Sequence, residues 1–172
     1  MMDNMLQRDY TEKNSFSSTF VEGKLLHIVP YEAKHGKYIL SNQMNHPLMD
    51  KDAEFDGDVM NLEQRGLAYT CMINDEPIAA AGMKIIWNGV AEGWVIATNK
   101  IWDHPLLIAK AIKKNFARLA KENNIKRVQT AVREDFKTGI KFAEWLGLEN
   151  EGLMKYYGFD GSHQYRYARI FT

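Results

Sequence analysis

Between Leu67 and Thr98 the chain alternates three apolar runs with two short polar breaks: LAYTCMI, Asn74-Asp75-Glu76, PIAAAGMKIIW, Asn88-Gly89 and VAEGWVIAT. Apolar runs of this length separated by turn residues predict an antiparallel meander of three strands, with Asn-Gly suited to a tight hairpin because both residues tolerate positive φ. Upstream, Lys24 to Val29 is a short apolar run that Pro30 ends, which suits a first strand. YEAKHGKYILSNQ then places Ala33, Tyr38, Ile39 and Asn42 near helical spacing, and a helix is expected there despite Gly36.

After Thr98 the period changes. Asp103 is expected to cap a helix with Pro105 in its first turn; Ile108, Ile112, Phe116 and Leu119 form one face, with Lys110, Lys113, Lys114, Arg118 and Lys121 outside it. Asn123-Asn124 ends that helix, and IKRVQTAV reads as a strand. Asp135 is expected to start another helix with Ile140, Phe142, Trp145 and Leu146 inward, stopped by Gly147. LENEGLMKYY and HQYRYARIF, joined by GFDGS, form a last strand pair.

The predicted order is strand, helix, three strands, helix, strand, helix and two strands. The strand, helix and strand at its centre imply a parallel pair with a right-handed crossover, so the class is mixed α/β, in one domain over residues 23–172. Residues 1–22 are polar and weakly patterned, an extension laid on the domain or left free of it. Met44 to Asp58 reads as a loop, with a short helix near Val59 to Gln64.

Composition narrows the functions. At 172 residues the chain suits one well-cored domain. Lysine plus arginine and aspartate plus glutamate each number 22, so no net field recruits nucleic acid or anionic membrane. The seven Lys or Arg residues from Lys110 to Arg127 read first as the polar side of an amphipathic helix. The single cysteine, Cys71, lies in an apolar run, excludes an internal disulfide and fits a reducing compartment, as a buried filler rather than a nucleophile. The five histidines show no paired ligand spacing, so no metal site is expected. No run has the length of a membrane span or the form of a signal peptide, which places the expected location in the cytoplasm.

The order of elements, together with KFAEWLGLENEGLMKYYGFDGSHQYRYARI, resembles the GNAT superfamily of acyl-CoA N-acyltransferases. Members often end with a helix reading apolar-Tyr-Glu-x-Leu-Gly-Phe, a strand with Glu-Gly and a turn with Asp-Gly. Phe142 to Leu148, Glu151-Gly152 and Asp160-Gly161 take those places. The Thr98 to His104-Pro105 loop and the tryptophan-bearing helix before Leu-Gly also resemble small GNAT-like proteins of short-tailed bacteriophages, some of them internal virion proteins.

The resemblance implies an acetyl-CoA site. Val95, Ile96, Ala97 and Thr98, on the strand that splays from its neighbour, would face the pantetheine arm. The following loop usually wraps glycine-rich backbone N–H groups around the pyrophosphate, using free donors and the helix dipole. Here TNKIWDHP has no glycine, adds Asp103 and loses a donor at Pro105, so Asn99, Lys100, His104 and Lys110 would have to bind phosphates instead. The position of the family's general-acid tyrosine is Ala143; Tyr156, or Tyr157 beside it, is the substitute. Glu92, early on the same strand as Val95, is the candidate base that takes a proton from the amine.

Two functions are expected from these residues. One is transfer of acetyl from acetyl-CoA to an amine acceptor, with weakened chemistry. The other is a catalytically degenerate phage protein that works in virion assembly through a phage or host protein partner. The resemblance also implies that the terminal aromatic strands serve as a homodimer contact or shape the acceptor pocket.

Overall fold

The computed structural model describes residues 19–21, 24–42 and 62–172. The loop expected at Met44 to Asp58 and the start of the short helix after it lie outside the described residues. Leu62 to Arg65, the end of that segment, are not helical.

The elements are β1 (Thr19–Val21), β2 (Lys24–Pro30), α1 (Ala33–Ser41), β3 (Ala68–Ile73), β4 (Glu76–Trp87), β5 (Val90–Ala97), a 3-10 turn (Asn99–Asp103), α2 (Pro105–Glu122), β6 (Arg127–Arg133), α3 (Lys137–Trp145), β7 (Glu149–Met154) and β8 (Gln164–Ile170). One eight-stranded sheet holds them in the order β1-β2-β3-β4-β5-β6-β8-β7. Every neighbouring pair is antiparallel except β5 and β6, which are parallel and joined through α2. The expected mixed α/β architecture is therefore present, with β1 added at the edge from the end of the polar N-terminal segment.

Alternation along the strands builds a core on each face. On one face α2 and α3 cover Met83, Ala91, Val128 and Tyr167 with Phe116, Leu119, Ala143 and Leu146. On the other, α1 places Ile39 with Tyr31, Ala68, Ala80 and Ile96. Cys71 is buried in a third cluster with Ala79 and Ile108, and burial pushes its thiol up to about 11.

The expected two-residue hairpin at Asn88-Gly89 is present, joining Trp87 to Val90 with Gly89 at φ 78°, and Asn74 (47°) and Asp75 (64°) make the other tight turn. Two local expectations are corrected. Asp103 does not cap α2: it ends the 3-10 turn, and His104 holds the N-cap position with no side-chain hydrogen bond. Trp145 is not inward but 40% exposed; Ala143 takes the buried place, while Trp145 stacks on Phe142 under the Lys113 ammonium. Residues two apart on a helix lie about 200° around its axis, so with Ala143 buried Trp145 turns outward. No helix among the described residues is long and apolar enough to cross a membrane.

Candidate functional site

The parallel pair at the centre of the sheet is a fork. β5 and β6 pair only through Val90 with Arg127, Ala91 with Val128 and Glu92 with Gln129. Beyond that point β5 continues beside β4 and β6 continues beside β8, so the two strands part. Just past the last shared rung Gly93 lies so close to β6 that a Cβ there would sit 3.1 Å from Val128 Cγ1. Beyond it, the β6 side of β5 has no strand beside it among the described residues.

A cavity of about 370 Å³ fills the opening, lined by Gly93, Val95, Ile112, Thr130, Val132 and Phe142 among others. Its walls are mainly apolar and its long side is a bare strand edge, which presents alternating N–H and C=O groups. That combination suits an extended, amide-bearing chain that can add to the edge as a strand would.

The four β5 positions expected to face such a chain do not act alike. Val95 is exposed and lines the cavity. Ile96 points to the other face, into the cluster with Tyr31 and Ile39. Ala97 packs on the cluster around Ile108, and Thr98 is buried, its hydroxyl donating to the Ile78 carbonyl at 3.2 Å. Strand alternation makes this division unavoidable.

At the mouth of the fork, Asn99 and Lys100 are exposed and begin the 3-10 turn. The Lys100 ammonium donates to both oxygens of Glu76, at 2.8 and 2.6 Å, and the Tyr38 hydroxyl donates to the same carboxylate. The pair raises the Lys100 pKa and lowers that of Glu76. Lys100 is thus committed to a link between the turn and α1. His104 is half-buried at the helix start, and Lys110 is exposed on α2. Without a side-chain cap, the N–H groups of Leu106 and Leu107 are the first-turn donors that α2 can offer, and Pro105 offers none.

Glu92 stands at the apex of the fork, on the face away from α2 and α3. It accepts from Gln129 Nε2 at 3.3 Å, and Arg166 Nη1 lies 3.3 and 3.4 Å from its two oxygens. Burial raises its pKa, opposed by the Arg166 charge and by the bonds from Gln129 and Arg166. Arg127 fixes the Gln129 amide through Nε at 2.9 Å and forks onto Glu151. A polar ladder therefore crosses four strands at the apex, from β7 to β5.

The two tyrosines separate here. Tyr157 joins the ladder: its hydroxyl lies 3.2 Å from Arg166 Nη2, and its ring 5.4 Å from the guanidinium. Tyr156 is 76% exposed, with φ at 55°, and packs edge-on against His163, whose Nδ1 accepts its backbone N–H. Glu92 and Tyr157 are brought together, then, and Tyr156 is placed apart. The sequence reading missed Arg166, Gln129, Glu76 and Tyr38. Only Arg166 left a trace, as a charged residue inside the alternating aromatic run QYRYARI.

No protein-family model matches the chain, and no curated protein matches it by sequence. Solved structures do. Ard1 from Thermoplasma volcanium superposes with a TM-score of 0.71 at 16% identity, over 86% of this chain and 98% of that one. An acetyltransferase of the GNAT family from Streptococcus pneumoniae gives 0.67 at 11% identity, over 86% and 99%. The chain has the GNAT fold. The Escherichia coli ribosomal-protein-S18-alanine N-acetyltransferase is a further GNAT-fold match, at 0.66 and 16% identity over 84% and 93%. In this GNAT-fold chain the fork, the cavity and the apex glutamate lie at the β5–β6 junction.

Proposed function

We propose that the protein is an N-acyltransferase that moves an acetyl group from acetyl-CoA to an amine. The observation that carries this reading is the loss of β5–β6 pairing after Glu92 and Gln129, with an apolar cavity along the freed edge. Acetyl-CoA supplies the activated acyl group. Gly93 to Ala97 would hold the pantetheine amides by backbone hydrogen bonds, and Val95, Ile112 and Phe142 would exclude water from the thioester.

The chain's own part in the chemistry falls to Glu92. An attacking amine must lose a proton as its nitrogen bonds to the acyl carbon and the carbon–sulfur bond breaks. Burial raises the affinity of Glu92 for that proton, and Gln129 and Arg166 hold the carboxylate at the apex. The leaving thiolate takes a proton in turn; Tyr157 is the phenol placed in the same ladder.

Phosphate binding is the weaker half of the fit. The turn has no glycine, Lys100 is held by Glu76, and Trp102 is exposed where the backbone would approach an anion. These features favour the degenerate half of the second reading, a GNAT-fold protein that acts through protein contacts, for which a bacteriophage virion protein is the sequence-based expectation. Calorimetric titration with acetyl-CoA at low and moderate salt separates the two. Micromolar binding supports the acyltransferase; no heat, with an unchanged melting temperature in excess acetyl-CoA, supports the second reading.

A further inference from the structure

Glu151-Gly152, one of the pairs behind the sequence resemblance, lies on β7 at the edge of the sheet, with β8 between it and β6. The ladder is irregular there. Asn150 pairs with Tyr167 and Gly152 with Arg166, so the register passes over Glu151. Gly152 takes a φ of 131°, which side chains rarely allow, and its N–H donates to Asn150 Oδ1 at 2.8 Å. Two residues thus stand opposite one, the geometry of a bulge, which re-aims a side chain. The Glu151 carboxylate reaches past β8 to Arg127 on β6 and accepts from both Nη1, at 2.9 Å, and Nη2.

That fork leaves Nε of Arg127, which donates to Gln129 Oε1 at 2.9 Å. A guanidinium has donors only, so the Gln129 atom that faces it is the carbonyl oxygen, and the amide nitrogen is turned to Glu92 Oε2 at 3.3 Å. The orientation has a chemical consequence. An N–H aimed at the carboxylate favours its ionised form. A flipped amide would set its carbonyl there and favour the protonated form, which cannot take a proton from an amine.

We propose that Glu151 and Arg127 are positioning residues for Glu92: the bulged carboxylate clamps the guanidinium, the guanidinium fixes the Gln129 amide, and the amide keeps Glu92 a proton acceptor. The inference rests on the acyltransferase reading for the task of Glu92. Burial raises the Glu92 pKa, opposed by the Arg166 charge, the Gln129 bond and the Arg127 charge. The remaining charged neighbour in the ladder is Lys84, the register partner of Glu92 on β4. Glu151 touches none of the reacting atoms and acts through two other side chains.

The test titrates the Glu92 carboxyl in the full chain by carbon NMR, its signal assigned by its loss in Glu92→Gln. Three variants separate a clamp from a plain charge, with melting curves confirming the fold of each. Arg127→Met should raise the midpoint by about half a pH unit or more, roughly threefold in proton affinity. Arg127→Lys keeps the charge, but one ammonium cannot hold the planar fork and the amide together, and the midpoint should rise here too. Glu151→Ala removes an anion, which by charge alone would lower the midpoint; release of the clamp should raise it instead. A midpoint that fails to rise in Arg127→Lys or in Glu151→Ala overturns the inference. The acyltransferase reading fails separately: raised midpoints without acetyl-CoA binding in calorimetry keep the clamp and remove that reading.

Discussion

Two acid–base pairs flank the fork, and they differ in tightness. At the mouth, Glu76 receives both a forked Lys100 ammonium and the Tyr38 hydroxyl, with contacts of 2.8 and 2.6 Å to Lys100. At the apex, Glu92 and Arg166 keep 3.3 and 3.4 Å. The tight pair joins β4, α1 and the turn after β5, with two of the three Lys100 donors spent on Glu76. The loose pair leaves donors on Arg166 and keeps a half-buried carboxylate whose pKa burial raises. Ion pairs of like composition thus differ by geometry alone, one closed by short contacts and the other left open.

The sharpest way to break this comparison is Glu92→Gln. If the loose pair does the chemistry, turnover falls roughly 100-fold or more with acetyl-CoA affinity unchanged, a loss in the range of one general base; equal turnover in the variant removes Glu92 from the mechanism. Next in size is Gly82→Ala. A Cβ at Gly82 would meet Trp94 Cζ2 and the Leu67 carbonyl oxygen at 2.8 Å each, and Trp94 lies two residues beyond Glu92 on its face. The expected loss is about 1–3 kcal/mol in denaturant unfolding, and a variant as stable as the parent would show that both the ring and the Leu67–Ala68 backbone give way.

Smaller effects test the fastening. Glu76→Gln should release Lys100 toward an anion and tighten acetyl-CoA binding a few-fold at low salt, an effect that added salt suppresses; a weaker complex would mean that the turn must stay tied to α1. The smallest effect concerns the seat of α1 itself. His35 Nδ1 accepts the Glu32 N–H at 3.2 Å and lies 3.0 Å from Thr70 Oγ1, so the ring is neutral in the fold. Burial lowers its pKa, and the unfolded chain therefore binds the proton first. Stability is full above about pH 6.5 and is lost as pH falls below it. Melting curves from pH 7.5 to 5 should show this drop, and His35→Gln should lack that part of it.

How much was legible beforehand follows the range of the interactions. The strands and helices were readable because alternation and helical spacing are local, and Gly147 ends α3 with the expected positive φ of 84°. Trp145 was misplaced because apolar spacing does not say which residue of α3 sits deepest; with Ala143 buried, Trp145 turns outward to Lys113. The cap was misread at Asp103 because the 3-10 turn consumes the residues that a simple loop would have left free.

The candidate site shows the same divide more strongly. Glu92 could be picked out, since it interrupts an apolar strand beside the parallel crossover. Its partners could not: Arg166 lies 74 residues away and Gln129 37, and each comes to the apex only because β6 and β8 are neighbours in the sheet. Lys100 looked like a free cation next to a helix start. Tertiary structure gave it to Glu76, 24 residues earlier.

By itself, then, the sequence determined the order of elements, their apolar faces and the single parallel crossover, because backbone periodicity and turn chemistry act over a few residues. The tertiary structure alone decided where β5 and β6 part, which charges are spent on each other and which remain. Those outcomes depend on registers between strands far apart in the chain, where a one-residue slip would turn Glu92 and Arg166 to opposite faces.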